Sequence, residues 1–166
     1  TTHARFNAAA SSDGALSEAL LRYTRFGANG RCEFPVAKLK DQQLVRVRLV
    51  SDRARVLVLS RPELLHLFPD GDSPGVEAVS QLVATHDHAS THSEAQELLD
   101  CLQSLTPPIA HMPILRWKSR QFPDANVYLA YDPQVDASCW ELVDDPTPLD
   151  TSAGIAMIRA ALQRHG

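Results

Sequence analysis

His86, His88 and His92 stand as H-x-H-x3-H, with His66 and His111 elsewhere in the chain. Imidazole nitrogens at such short spacing can converge on zinc, which takes three or four N, S or O ligands. The spacing matches no strong zinc signature. The segment also falls in a predicted interhelical loop, where solvated histidines are the ordinary reading. A metal-dependent hydrolase built on these three residues is one chemical option.

Cys32, His111 and Asp132 offer a second option. They follow the chain order of many papain-like thiol enzymes, which pair a thiolate with an imidazole and an orienting carboxylate. Such nucleophiles usually sit at a helix N-terminus, whose dipole lowers the thiol pKa. Cys32 falls instead in a predicted strand, where a structural cysteine is the simpler reading. Asp132-Pro133 likewise reads as a strand-ending turn. No GxGxxG, GxxxxGK[ST] or GxSxG motif occurs, so nucleotide-binding and α/β-hydrolase readings lack residues, and no cofactor is expected.

Whatever the chemistry, the elements around Gln43–Phe68 must position it. Val45, Val47 and Leu49 alternate with Arg46, Arg48 and Val50, a period of two that predicts a half-buried strand. After Ser51-Asp52-Arg53, the run Val56-Leu57-Val58-Leu59 is apolar on both faces and suits an interior strand. The two are expected to form a hairpin. Upstream, residues 1–12 are small and polar, an expected flexible N-terminus ahead of a single domain over 13–166. A helix is predicted from about Asp13 to Arg25, with Ser12 or Asp13 as its cap. Cys32, Phe34 and Val36 predict a first strand, made an edge or a bulge by Pro35.

Downstream, Ser73-Pro74 reads as a helix start, with Val76, Val79 and Val83 at helical spacing. Thr91-His92-Ser93-Glu94 has capping-box spacing ahead of Leu98, Leu99, Leu102 and Leu105. Strands are predicted over His111–Lys118, Asn126–Tyr131 and Ser138–Val143, then a loop over Asp144–Pro148. Asp150 is expected to cap a last helix with Ile155, Ile158 and Leu162 inward. The order reads α-βββ-αα(α)-βββ-α, an α+β fold with an antiparallel sheet flanked by helices.

Composition narrows the function classes. A chain of 166 residues with 44% apolar and 22% charged residues has the profile of a globular domain. A net charge of −4 lacks the basic footprint of nucleic-acid binding, and 6% aromatics leave few bases' worth of stacking platform. Trp117, Trp140 and Tyr128 read as core or interface aromatics. Three widely spaced cysteines make neither a disulfide framework nor a CxxC site, which suits a reducing cytoplasm. No apolar run approaches the roughly 18 residues needed for membrane insertion. Charge is uneven, however. Arg46, Arg48, Arg53, Arg55 and Arg61 crowd the centre, while Asp132, Asp136, Glu141, Asp144, Asp145 and Asp150 form a stretch without Lys or Arg. Two solvated faces would explain this; so would two stretches that meet each other or a partner.

The order of elements resembles the type III secretion chaperones of Gram-negative bacteria. Asn29-Gly30-Arg31-Cys32-Glu33-Phe34 is similar to that family's turn into its first strand, and Val45–Ser60 looks like its next two strands. Asp144-Asp145-Pro146-Thr147-Pro148-Leu149-Asp150 resembles its route into the last helix. Two predicted helices between Pro69 and Pro107, where the family usually has one, and the arginine-rich centre depart from it. The resemblance implies a non-enzymatic homodimer that keeps a secreted virulence effector's N-terminal segment extended and export-competent without ATP. Apolar strand faces and an open edge suit that role. The client-binding candidates are Phe34, Val36, Val47, Leu49, Leu57 and Leu59. The helix bearing Val76, Val79, Leu82 and Val83 is the candidate dimer seam. For each, ordinary core packing is the competing reading.

Overall fold

The computed structural model describes residues 5–21, 24–27, 29, 32–51, 54–60, 74–84, 114–131 and 137–165. Among these residues strands and three α-helices intermix in an α+β fold, with mostly antiparallel sheets. The largest sheet has four strands in the order β1 (Arg5–Ala9), β8 (Asn126–Tyr131), β7 (Ile114–Lys118) and β6 (Val56–Val58). β1 and β7 flank β8 antiparallel, and β6 runs parallel to β7. Asn126–Tyr131 therefore forms the strand its alternation predicts.

Several expectations are corrected. Residues 5–9, expected to be flexible with the rest of 1–12, form β1, so a strand precedes the first helix. Small polar residues obscure it in the sequence, because β1 gains its order from pairing with β8. The central hairpin does not form either. Val56-Leu57-Val58 pairs with Ile114-Leu115-Arg116 and lies at the sheet's edge, with Val56 exposed. β5 (Val47–Leu49) instead joins β9 (Trp140–Leu142) in a separate ribbon. The first predicted strand shortens to β3 (Cys32–Glu33), paired with β2 (Arg25–Phe26). Pro35 opens a 3-10 turn over Val36–Leu39, which takes Val36 out of the ladder. The loop expected over Asp144–Pro148 holds β10 (Thr147–Pro148), paired with β4 (Gln43–Leu44).

Helix α1 (Ser12–Ala19) is shorter than predicted and is capped by Ser11, whose Oγ accepts from the Gly14 N–H at 3.1 Å. α2 (Pro74–Ala84) starts on its proline as expected. α3 (Ser152–His165) is capped by Thr151 rather than Asp150: Thr151 Oγ1 accepts from Gly154 N–H at 3.2 Å and donates to Pro148 O at 2.7 Å. The predicted helix beginning near Thr91 lies outside the described residues.

α1 and α3 share a core of Leu16, Leu39, Leu149, Ile158 and Ala161, with Ile155 and Leu162 packed against it as the spacing predicts. Arg164 donates to both carboxylate oxygens of Asp13 at 2.5 and 2.6 Å, tying the last turn of α3 to the first turn of α1. Each charge stands at the helix end whose dipole favours it. Hydrogen bonding to Asp13, opposed by desolvation and aided by the carboxylate's charge, raises the Arg164 pKa above its usual value. α1 is also tied to the β7–β8 turn. Buried Ser119 donates from Oγ to Glu18 Oε1 at 2.6 Å and accepts from Phe122 N–H at 2.8 Å.

Two glycines permit these close approaches. A Cβ on Gly14 would stand 2.6 Å from the Ala125 Cβ, and one on Gly154 would stand 2.5 Å from the Leu149 Cα and against the Pro148 carbonyl. Helix propensity alone favours Ala over Gly by about 1 kcal/mol. The backbone collision at Gly154 is stronger, so Gly154→Ala is expected to lower stability by about 1–3 kcal/mol in urea unfolding. The turn into β4 gives the opposite sign. Lys40 (φ −57°, ψ 132°) and Asp41 (φ 62°) sit between Leu39 and Gln42, and Gln42 N–H donates to Leu39 O at 3.0 Å. That is a type II turn, which favours glycine at the position Asp41 holds. Asp41→Gly is expected to stabilise by up to about 1 kcal/mol in the same measurement.

Candidate functional site: the β5–β9 ribbon

Three residue pairs define the ribbon: Val47 opposite Leu142, Arg48 opposite Glu141, and Leu49 opposite Trp140. Because side chains alternate, Leu49 and Trp140 turn to one face, where they pack with Ala54, Tyr128 and Cys139 against buried Ile114 and Ala130. Arg48 and Glu141 turn to the other. Arg48 Nη2 meets Glu141 Oε2 at 2.7 Å, and Arg46 Nη1 meets Asp144 Oδ2 at 3.3 Å. The basic and acidic stretches thus do meet, across more than ninety residues of chain. They also stay solvated, with the Arg46 and Arg48 side chains 72% and 65% exposed.

Apolar surface flanks these pairs. Leu142 is 58% exposed, and Val45, Val50 and Val143 are exposed as well. Among the described residues the ribbon has two strands, and no other strand pairs with the outer edge of β5. Val50 N–H donates to Cys139 O at 2.9 Å and Val143 N–H to Arg46 O at 3.0 Å. Arg46, Arg48 and Val50 therefore occupy the hydrogen-bonded positions of the antiparallel ladder. The backbone N–H and C=O groups of Val47 and Leu49 point the other way, toward the free edge of β5.

The residues singled out from the sequence scatter around this ribbon. Val47 and Leu49 belong to it and are half-buried. Leu57 is half-buried on β6, whereas Leu59 is buried, so its side chain serves the core and has no face to offer a client. Phe34 packs against the Leu16–Ile158 core, and Val36 is exposed on the 3-10 turn. In α2, Val76 and Val79 are 1% and 3% exposed. Both are consumed by the chain's own packing, which removes them from a seam between copies. Val83 is half-buried, and Leu82 lies on the same helix. The exposed residues Val45, Val50, Leu142 and Val143 were missed as site candidates. Alternation gives the face a residue takes, but not how far the neighbouring core extends to cover it.

His86, His88, His92, His111 and Asp132 lie outside the described residues, and Cys32 falls in β3. Among the described residues no three His, Cys, Asp or Glu side chains gather as metal ligands. No described helix is long and apolar enough to cross a membrane.

Exposed ion pairs contribute about 0.2–1 kcal/mol each. A double-mutant cycle on Arg48→Ala and Glu141→Ala should give a coupling in that range, shrinking as salt approaches molar concentration. A coupling above about 2 kcal/mol would mean that the pair is far better shielded from water than its exposure implies. No family model, curated protein or solved structure matches the chain.

Proposed function

We propose that the protein is a non-enzymatic, protein-binding chaperone that takes up an extended segment of a client along the β5–β9 ribbon. One observation carries the reading. The ribbon combines a strand edge unpaired among the described residues with exposed Leu142, Val143, Val45 and Val50 beside it. An open edge supplies main-chain hydrogen bonds to any sequence, and apolar side chains beside it supply affinity through alternate residues of the added strand. That combination suits an unfolded segment better than a small substrate, which needs a concave site with convergent polar groups.

The resemblance to type III secretion chaperones sharpens the proposal. The client is then the N-terminal segment of a secreted effector, held export-competent in the bacterial cytoplasm by a homodimer without ATP. With Val76 and Val79 buried, the seam of such a dimer falls on a surface other than that helix face.

Two measurements test this. Light scattering on the chain expressed alone should give a dimer, with no stoichiometric zinc in the same sample; a monomer carrying zinc would point to the hydrolase instead. In an aggregation assay without nucleotide, the chain should keep a chemically denatured, reduced test protein soluble at stoichiometric ratio. The Leu142→Asp/Val143→Asp variant should lose most of that protection with little change in melting temperature, because both side chains are exposed. Equal protection by wild type and variant would remove the ribbon from the proposal.

A further inference from the structure

We infer that the free edge of β5 selects a strand of particular chemistry, in which carboxylates alternate with apolar residues. The inference rests on the proposed client-binding role and adds what the client must look like. Its first ground is the backbone: the outward N–H and C=O groups of Val47 and Leu49, which meet no other strand among the described residues, can accept one more.

The second ground is charge. Arg46 and Arg48 alternate with Val47 and Leu49, so both guanidinium groups serve one face of any strand added at this edge. A guanidinium carries five N–H donors. In the described structure Arg46 gives one nitrogen to Asp144 and Arg48 one to Glu141, and both side chains remain mostly exposed. Each can therefore take a second carboxylate from the opposite side without releasing the first. The spacing of the two arginines sets the spacing in the partner: acidic residues two apart, aligned with Arg46 and Arg48. The residue between them falls on the face shared by Val47 and Leu49 and should be apolar.

The third ground is β9. It already shows what β5 accepts on its paired side, with Glu141 opposite Arg48 and the apolar Trp140 and Leu142 opposite Leu49 and Val47. An acidic–apolar strand on the free edge would repeat that arrangement across β5. The outer side of β9 offers no equivalent, because its one charged side chain, Glu141, is a carboxylate already engaged by Arg48. Like charge disfavours a second copy pairing β5 against β5, since arginines would face arginines. The occupant is thus an acidic, extended segment of another polypeptide.

The probe is a short extended peptide alternating Glu and Val, compared with its Gln–Val and Lys–Val counterparts and with the Glu–Val peptide N-methylated at alternate amides. Binding to the full chain would be followed by amide chemical shifts. The Glu–Val peptide should bind at least about tenfold tighter than Gln–Val, perturb the Val47 and Leu49 amides first, and weaken with added salt. Lys–Val and the N-methylated peptide should not bind. Changing the peptide leaves the protein intact, so loosening of the ribbon cannot mimic the result; Arg48→Gln should abolish the Glu–Val preference in parallel. Equal binding of Gln–Val at Val47 and Leu49 would overturn the acidic selectivity. Shifts elsewhere, or indifference to N-methylation, would overturn the edge itself. If the chain protects the denatured test protein but ignores the Glu–Val peptide, this inference fails and the chaperone reading stands. If it does neither, the chaperone reading fails as well.

Discussion

A parallel strand pair cannot be closed by a tight turn, and the β6–β7 pairing imposes that constraint on the whole chain. Between Val58 and Ile114 the chain must make a crossover, and α2 lies on it. β6 gives one edge to β7, and among the described residues its other edge takes no strand. β5, left without its neighbour in sequence, pairs with β9 instead. Among the described residues β5 and β9 thus stand as a two-stranded ribbon packed on Ile114 and Ala130 of the four-stranded sheet.

Two kinds of interaction hold the ribbon, and their magnitudes assign them different tasks. Burying a Leu side chain fully contributes about 1.5–3 kcal/mol, so the half-buried Leu49 together with Trp140 against Ile114 outweighs two exposed ion pairs. Packing anchors the ribbon. The charges reinforce the register that packing sets: a slip by one residue would turn Leu49 toward water and set Arg48 against an apolar residue. Exposed charge alone is too weak to anchor the ribbon.

The same division explains what could be read beforehand. Signals contained in one segment came through: the limits of β8, the start of α2 at Pro74, and the inward face of α3 with Ile158. The meeting of the arginine-rich and acidic stretches was legible as a possibility, because opposite charges segregated in sequence invite pairing. Partner choice was not legible. Val45–Leu59 alternates and breaks just as a hairpin would, and nothing local reveals that a better partner lies beyond residue 113. β1, β2 and β10 were missed because two to five residues with weak β signals become strands only when a partner is supplied, whereas the one strand expected over Gln43–Ser51 divides into β4 and β5. The Thr151 cap was displaced by one residue from Asp150, since either side chain can cap and only packing decides.

An exposed strand edge is a hazard as well as a resource, because any passing strand can add to it. Natural sheets blunt such edges with charge, and Arg46 and Arg48 fill that position on β5. Their repulsion discourages β5 of one copy from adding to β5 of another. Yet charge of one sign protects against only half of the possible visitors. The arginines that deter a like strand also attract a carboxylate-bearing one, so protection and selectivity are a single property of the same two side chains. Removing the charge would therefore remove the barrier to self-association together with any preference for an acidic strand.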